Sequence, residues 1–258
     1  MDKIFMGLPY GFSAFSDVRD SLIPCRAKSR IPENAKTVIS ILFPYYLGEE
    51  AYEGSNVSRY AVSEDYHNIT GKIINEIRDN LKEAFPGNAF EAFVDNSPLP
   101  EVRCAVNAGL GVMGINNLFI SPVYGSWVFL GEIVTDREFP LSEKKPSLCM
   151  GCMECMSACP VGAITGKEII KEKCLSFLSQ KKGELDEETK ALIEKTGCAW
   201  GCDICQKVCP YNKNAEITPI KEFIGTAVPF VTKETEIENR AFSWRGRAVI
   251  ERNLDILK

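Results

Sequence analysis

Four cysteines, Cys149, Cys152, Cys155 and Cys159, follow the spacing C-x₂-C-x₂-C-x₃-C, and Pro160 comes directly after them. Cysteines at these intervals wrap a tight loop around one face of a [4Fe–4S] cube. The fourth points away to ligate a second cluster, and the proline stops the chain from continuing as regular helix. The implied chemistry is electron transfer one electron at a time. A second cysteine-rich stretch, CAWGCDICQKVCP, runs from Cys198 to Pro210. A standard second motif requires cysteine at 199, where the chain has Ala199, and Cys198 is off register by one. Cys174 lies between the two stretches and can supply the missing ligand. The expected arrangement gives one cluster to Cys149, Cys152, Cys155 and Cys209, and the other to Cys159, Cys174, Cys202 and Cys205. Crossing the fourth ligands brings two clusters close enough to exchange electrons. Of the remaining cysteines, Cys104 reads as a small buried hydrophobe. The residues alone leave Cys25 and Cys198 undecided.

Other residues invite chemistry less directly. Asp95 ends an apolar stretch and precedes Asn96-Ser97-Pro98. It reads equally well as a turn or cap residue and as a carboxyl that apolar Phe93 and Val94 hold protonated for general acid work. His67 is the only histidine, which excludes His-rich zinc and triad schemes. Its position predicts a hydrogen-bonded residue at a helix start rather than a ligand. Gly109, Gly111 and Gly114 match G-x-G-x-x-G, but that fingerprint needs a strand before it and a helix after it. Here a short helix is expected before the loop and a strand after it. The glycines therefore mark close backbone approach or positive φ, not a dinucleotide site.

These residues need a scaffold, and 258 residues suffice for one large core or two modest ones. With 45% hydrophobic and 25% charged residues the composition is that of a globular protein. The first residues lack the basic and apolar regions of a signal peptide, and the apolar run 38–47 is too short to span a bilayer. A cytoplasmic location with no membrane partner is expected, where eleven cysteines serve as ligands or buried thiols. A net charge of −5 argues against a generic nucleic-acid surface. Residues 1–24 read as irregular, with Gly7, Pro9, Gly11 and Pro24 as breakers, 36–43 as a buried strand, and Ile69, Ile73, Ile77 and Leu81 as the buried stripe of a helix closed by Pro86-Gly87. Residues 89–94 read as a strand, 101–108 as a short helix, and 117–120 and 126–135 as strands. The expected organisation is an α+β or α/β domain over 1–147, a two-cluster ferredoxin-like domain over 148–212, and a connector with a final amphipathic helix over 213–258 that packs back on the first domain.

Taken in order, SRYAVSEDYH (58–67), VDNSPLPE (94–101), AGLGVMG (108–114), GSWVFLGEI (125–133), the cluster motif, Cys174-Leu-Ser and GCDICQKVCPYN (201–212) resemble the epoxyqueuosine reductase family. These segments cover most of residues 36–212. The resemblance implies a flavin-reductase-like N-terminal domain that cradles base-off cobalamin against the cluster domain. It implies that the clusters feed cobalamin and that Asp95 is the proton donor. Arg59 and Tyr60, the loop with Gly109, Gly111 and Gly114, the segment with Gly125, Ser126, Phe129 and Leu130, and Trp200, Gly201 and Asp203 would border the corrin. The implied partners are a low-potential donor of ferredoxin or flavodoxin type and tRNA. Two departures stand out. Ile115 occupies a position where the family usually carries lysine, and the sequence stops at Lys258, before the helical repeats that help grip tRNA. A short form is therefore expected, acting on tRNA epoxyqueuosine or a related substrate. A different class, a two-cluster electron carrier or a reductive activator of a corrinoid protein, would use the same cysteines. A carrier needs only about 60 residues, so the long first domain and Asp95 favour the enzyme.

Overall fold

A computed structural model describes residues 1–143, 149–166 and 168–258. The expected domain limit between 147 and 148 lies outside the described residues. The centre is a four-stranded antiparallel sheet in the order β1 (Tyr10–Ala14), β2 (Thr37–Pro44), β6 (Val128–Thr135), β3 (Phe90–Val94). A small hairpin, β4 (Val112–Met113) with β5 (Phe119–Ile120), stands apart. Strand β2 is buried at all eight positions because both faces of the sheet are covered. On one face, helix α1 (Tyr66–Ala84) sets Ile69, Ile73, Ile74, Ile77 and Leu81 against Ile39, Ile41, Phe43 and Ile133. On the other, helix α2 (Glu101–Asn107) sets Cys104 and Ala105 against Val38, Leu42, Phe93 and Val134. The period of two along each strand divides these sets.

Two local expectations need correction. Residues 1–24 are not irregular throughout, since Tyr10–Ala14 pairs with β2 as an edge strand. Gly11, read as a breaker, is there for proximity: a Cβ on it would lie 2.3 Å from the carbonyl oxygen of Ala108 at the end of α2. The strand expected from Asn117 starts only at Phe119, because Asn117 adopts φ +57° as a turn residue.

The cysteine-rich region adds short helices, α3 (Glu154–Ala158), α4 (Leu175–Ser179), α5 (Glu187–Thr196) and α6 (Ile204–Lys207). After α7 (Lys221–Gly225), α8 (Arg247–Ile256) buries Val249, Ile250 and Leu254 in the core that also holds α1. Ala199 and Trp200 join that same core, so the cluster region packs against the sheet domain and does not hang from it. Backbone bonds link the two, from Ser58 N to Trp200 O at 2.8 Å and from Ala199 N to Asn56 O at 2.6 Å. The Asn212 side chain donates to Ser126 Oγ at 2.8 Å and to Gln206 O at 2.7 Å, and accepts from Ser126 N at 2.7 Å.

Asn212 is buried, so truncation strands the Ser126 amide without water and leaves the Gln206 carbonyl with the Cys209 amide alone. Asn212→Ala is expected to cost about 2–4 kcal/mol. Anaerobic calorimetry of the cluster-loaded protein should show Tm lower by roughly 5–10 °C.

Candidate active site and cluster positions

A cavity of about 470 Å³ opens at the N-terminus of α1, walled by Tyr60, Tyr66 and Phe129, with Asp65, His67 and Asp95 on one side. Gln180 reaches it from the segment after α4, and Ala241 and Trp244 from the C-terminal segment. The aromatic wall is ordered by stacking: Tyr66 lies 4.1 Å from Phe129 between ring centres, and His67 lies 4.0 Å from Tyr66. The Tyr60 hydroxyl accepts from Trp200 Nε1 at 2.7 Å, tying the wall to the cluster region.

Local sequence builds the acidic side. Asp65 caps α1 by accepting from the His67 amide at 3.0 Å. Strand β3 ends at Val94, and Asp95 then takes φ +50°, a conformation that Asp tolerates better than most residues. This turn aims its carboxylate back at the start of α1. The His67 ring is held from both sides, with Nδ1 2.7 Å from Asp65 Oδ1 and Nε2 2.8 Å from Asp95 Oδ2. The Asp65 bond and then the Asp95 bond push the imidazole up to about 9. The helix dipole opposes a cation here by about 0.3–1 kcal/mol, whereas each charge-assisted bond contributes about 1.5–3 kcal/mol, so the carboxylates win. His67 in turn holds Asp95 below the usual carboxylate range. For Asp65, burial works upward, and the His67 bonds outweigh it.

Asp95 has the turn conformation of one reading, and its carboxylate meets His67. It is not held protonated by Phe93 and Val94, because the nearest polar group is a cation. Nor does it cap α2, whose N-cap is Pro100 with no side-chain bond. The couple holds one proton, and that proton sits on His67.

The residues expected to border a corrin are dispersed. Tyr60 and Phe129 line the cavity. Arg59 turns into an aromatic box, its guanidinium 4.6 Å from the Trp127 ring and 4.7 Å from the Tyr52 ring, and is bonded to Glu49. Asp203 accepts from the Arg59 amide at 2.7 Å. Gly109 ends α2, and Gly111 and Gly114 pack on the β4–β5 hairpin. At Gly125 a Cβ would lie 2.0 Å from Asn212 Oδ1, so this glycine and Ser126 seat the cluster region. Leu130 packs with Leu42 and Phe119 on the α2 side of the sheet. Trp200 is buried, and Gly201 N donates to Ser179 Oγ at 3.1 Å. Sequence reasoning gave no role to Gln180, Ala241 and Trp244, and took Asp65, Tyr66 and His67 only as the start of a helix. The i, i+2 spacing of Asp65 and His67 was the one available signal.

The cysteines gather into two groups. Cys149, Cys152, Cys155 and Cys209 line one chamber with Ile115, Asn116 and Tyr211 of the neighbouring loops. Among the described residues no three such side chains converge on the position of a single metal ion, and a cube separates its ligands more widely than one ion does. Burial first, then Asp203, then Cys174 and Cys159 push the Cys202 thiol up to about 11. Burial, then Cys202 and Cys174, push Cys205 up to about 12. Cys202 thus lies near Cys174 and Cys159, and Cys205 near Cys202 and Cys174. Cys198 is engaged otherwise, its thiol donating to Trp200 O at 3.3 Å. Cys104 is fully buried beside Glu101 and Glu132, and Cys25 lies 3.9 Å from Asn96 O.

Because His67 is the only histidine, its ring gives a unique NMR signal. It should titrate near pH 9 and fall toward its ordinary 6.5 in Asp95→Asn, and further in Asp65→Asn. Its folded value is raised, so its contribution to stability is complete below pH 6.5 and lost as pH rises through about 9.

Comparison with known proteins follows the same lines. A family model for a 4Fe-4S double cluster binding domain matches residues 148–212, and a model for epoxyqueuosine reductase QueG matches residues 26–96. The epoxyqueuosine reductase of Lactococcus garvieae is 33% identical over 246 residues, covering 86% of this chain and 68% of the relative. The structure of epoxyqueuosine reductase from Streptococcus thermophilus superposes with a TM-score of 0.79 at 26% identity, covering 100% of this chain and 78% of that one. A crystal structure of an epoxyqueuosine reductase with a tRNA-Tyr epoxyqueuosine-modified stem loop gives 0.78 at 25% identity, covering 96% and 76%. The chain spans about half to two thirds of the length of most curated relatives it matches. Among the described residues no helix is long and apolar enough to cross a membrane. With a family-specific match in its first half, a double-cluster match in its second and a relative one-third identical over most of both chains, this chain belongs to the epoxyqueuosine reductase family.

Proposed function

We propose that the chain reduces the epoxide of epoxyqueuosine in tRNA to the alkene of queuosine, using two [4Fe–4S] clusters and base-off cobalamin. The observation that carries this reading is the Asp95–His67 couple, opening into an aromatic cavity beside the cluster region in a member of this family. An electron carrier needs neither the couple nor the cavity. Asp95 at the cavity rim is the proton donor, recharged from His67 Nε2 at 2.8 Å. Cys149, Cys152, Cys155 and Cys209 hold one cluster, and Cys159, Cys174, Cys202 and Cys205 the other.

The cavity suits a macrocycle's edge, with flat walls at Tyr60, Tyr66, Phe129 and Trp244 and its polar groups, Asp65, His67, Asp95 and Gln180, at the rim. When bound there, cobalamin supplies a low-potential cobalt centre that accepts electrons singly and passes two to the substrate. Tyr60 holds the wall in place through Trp200, and the stack of Tyr66 on Phe129 keeps water from the apolar side. Asp95 relays the His67 proton to the oxygen that leaves carbon. A low-potential ferredoxin or flavodoxin is the donor, and a tRNA stem loop carries the substrate, as it does in the solved relative.

The test is anaerobic reconstitution with iron, sulfide and cobalamin, followed by incubation with an epoxyqueuosine-bearing stem loop and a strong reductant. Queuosine should appear in the nucleoside digest, and cobalamin should co-elute with a base-off visible spectrum. A chain that binds no cobalamin and forms no queuosine contradicts the reading. Base-off binding without conversion contradicts the substrate alone. Iron content tests the ligand sets: about eight irons per chain for the unaltered protein and for Cys198→Ser, and about four for Cys174→Ser.

A further inference from the structure

Glu132 sits in the middle of β6 with no exposed surface, opposite Phe93 of β3 and Ser40 of β2. Neither of its carboxyl oxygens has a hydrogen-bond partner. Glu101, the first residue of α2, faces it across the α2 side of the sheet. One Glu101 oxygen is likewise buried and unpartnered, while the carboxyl lies within reach of the Asp95 backbone amide. The titratable groups around the pair are few. Helix α2 brings Cys104 and Arg103, and Asp95, His67 and Tyr66 lie beyond Glu101. Arg103 points away and donates to Ser21 Oγ at 2.9 Å. Strand β2 contributes the unpartnered Ser40 hydroxyl, and Glu91 of β3 is ion-paired with Arg30.

Two buried carboxyls with no cation between them cannot both ionise. Burial, and then the Asp95 charge, push Glu101 up to about 8; burial and Glu101 push Glu132 up as well. A structural role alone explains this badly, since each unsatisfied buried group costs about 1–3 kcal/mol that an apolar residue of similar size would avoid.

We propose that Glu101 and Glu132 form a buried carboxylic-acid reservoir that returns a proton to the Asp95–His67 couple during each reductive turnover, a role that rests on the function proposed above. The stoichiometry requires a second proton. Converting an epoxide to an alkene breaks two C–O bonds, takes up two electrons and two protons, and releases the oxygen as water. The clusters and cobalamin supply the electrons. The Asp95–His67 couple holds one proton, and Glu101 holds the next. The His67 proton passes through Asp95 to the oxygen, which leaves a neutral imidazole and an Asp95 carboxylate; Glu101 then passes its own proton to that carboxylate and becomes a carboxylate itself. Glu132 stays protonated beside that charge until solvent at the cavity mouth reprotonates the couple and, through Asp95, Glu101. The two glutamates act through Asp95 and are positioning residues for the proton.

The experiment uses the full, cluster-loaded chain. Infrared spectra at pH 7 in H₂O and D₂O, without substrate, should contain deuterium-sensitive carboxylic-acid C=O bands. These bands should weaken in Glu101→Gln and vanish in the Glu101→Gln/Glu132→Gln protein. With cobalamin and the stem loop, kcat of Glu101→Gln should fall roughly tenfold with KM unchanged. The decline of wild-type kcat as pH rises through about 8 should disappear in that variant, and Glu101→Asp should restore most of the rate. Identical infrared spectra in wild type and the double variant, or a kcat–pH profile that Glu101→Gln leaves unmoved, would overturn the proposal. A wild-type chain that forms no queuosine counts against the function reading, and the infrared bands, measured without substrate, separate that failure from this one.

Discussion

One imidazole ring, bonded to Asp65 on one nitrogen and Asp95 on the other, is the contact on which the candidate site depends. It joins the cap of α1 to the turn after β3, two segments 28 residues apart in sequence. It also decides which group carries the proton. Without His67, Asp95 would be a half-exposed carboxylate at a strained turn, with nothing to recharge it. With it, a carboxylate that is unprotonated at neutral pH has a proton 2.8 Å away. The cost is a cation at the positive end of a helix, which two short charge-assisted bonds outweigh.

The scaffold sets where that proton can go. The antiparallel sheet places α1 and the cavity on one face and α2 with the acid pair on the other, and Asp95 stands at the edge between them. The cluster region is locked to the same sheet by Asn212, Gln206 and Trp200, which fixes its place beside the cavity. A loosely tethered electron module would not hold that geometry. The Tyr60–Trp200 bond is the shortest bridge between the cavity wall and the cysteine-rich segment.

Much of this was legible in the sequence. Local periodicity marks β2, α1 and α2 because each buries one stripe or a whole strand. What local pattern does not encode is which of two plausible partners a polar residue meets. The Asp95–His67 bond depends on the turn after β3 reaching the start of α1, a tertiary fact. Arg59, which the resemblance sets beside the corrin, is enclosed by Tyr46, Tyr52 and Trp127, an enclosure no local pattern announces. Strand β1 was hidden because Gly11 reads as a breaker, while its reason for being glycine is the Ala108 carbonyl. Glu132 lies in a strand otherwise fit for the core, and sequence alone gave no reason to single it out.

The central claim is that Asp95 passes protons to the substrate and does not merely hold cobalamin or the fold. The most direct measurement is the turnover of an epoxyqueuosine stem loop by cobalamin-loaded Asp95→Asn, compared with the unaltered chain under the same reductant. The account predicts a rate lower by about 10²–10³-fold, with the base-off cobalamin spectrum and the iron content unchanged. Full turnover by Asp95→Asn would contradict it.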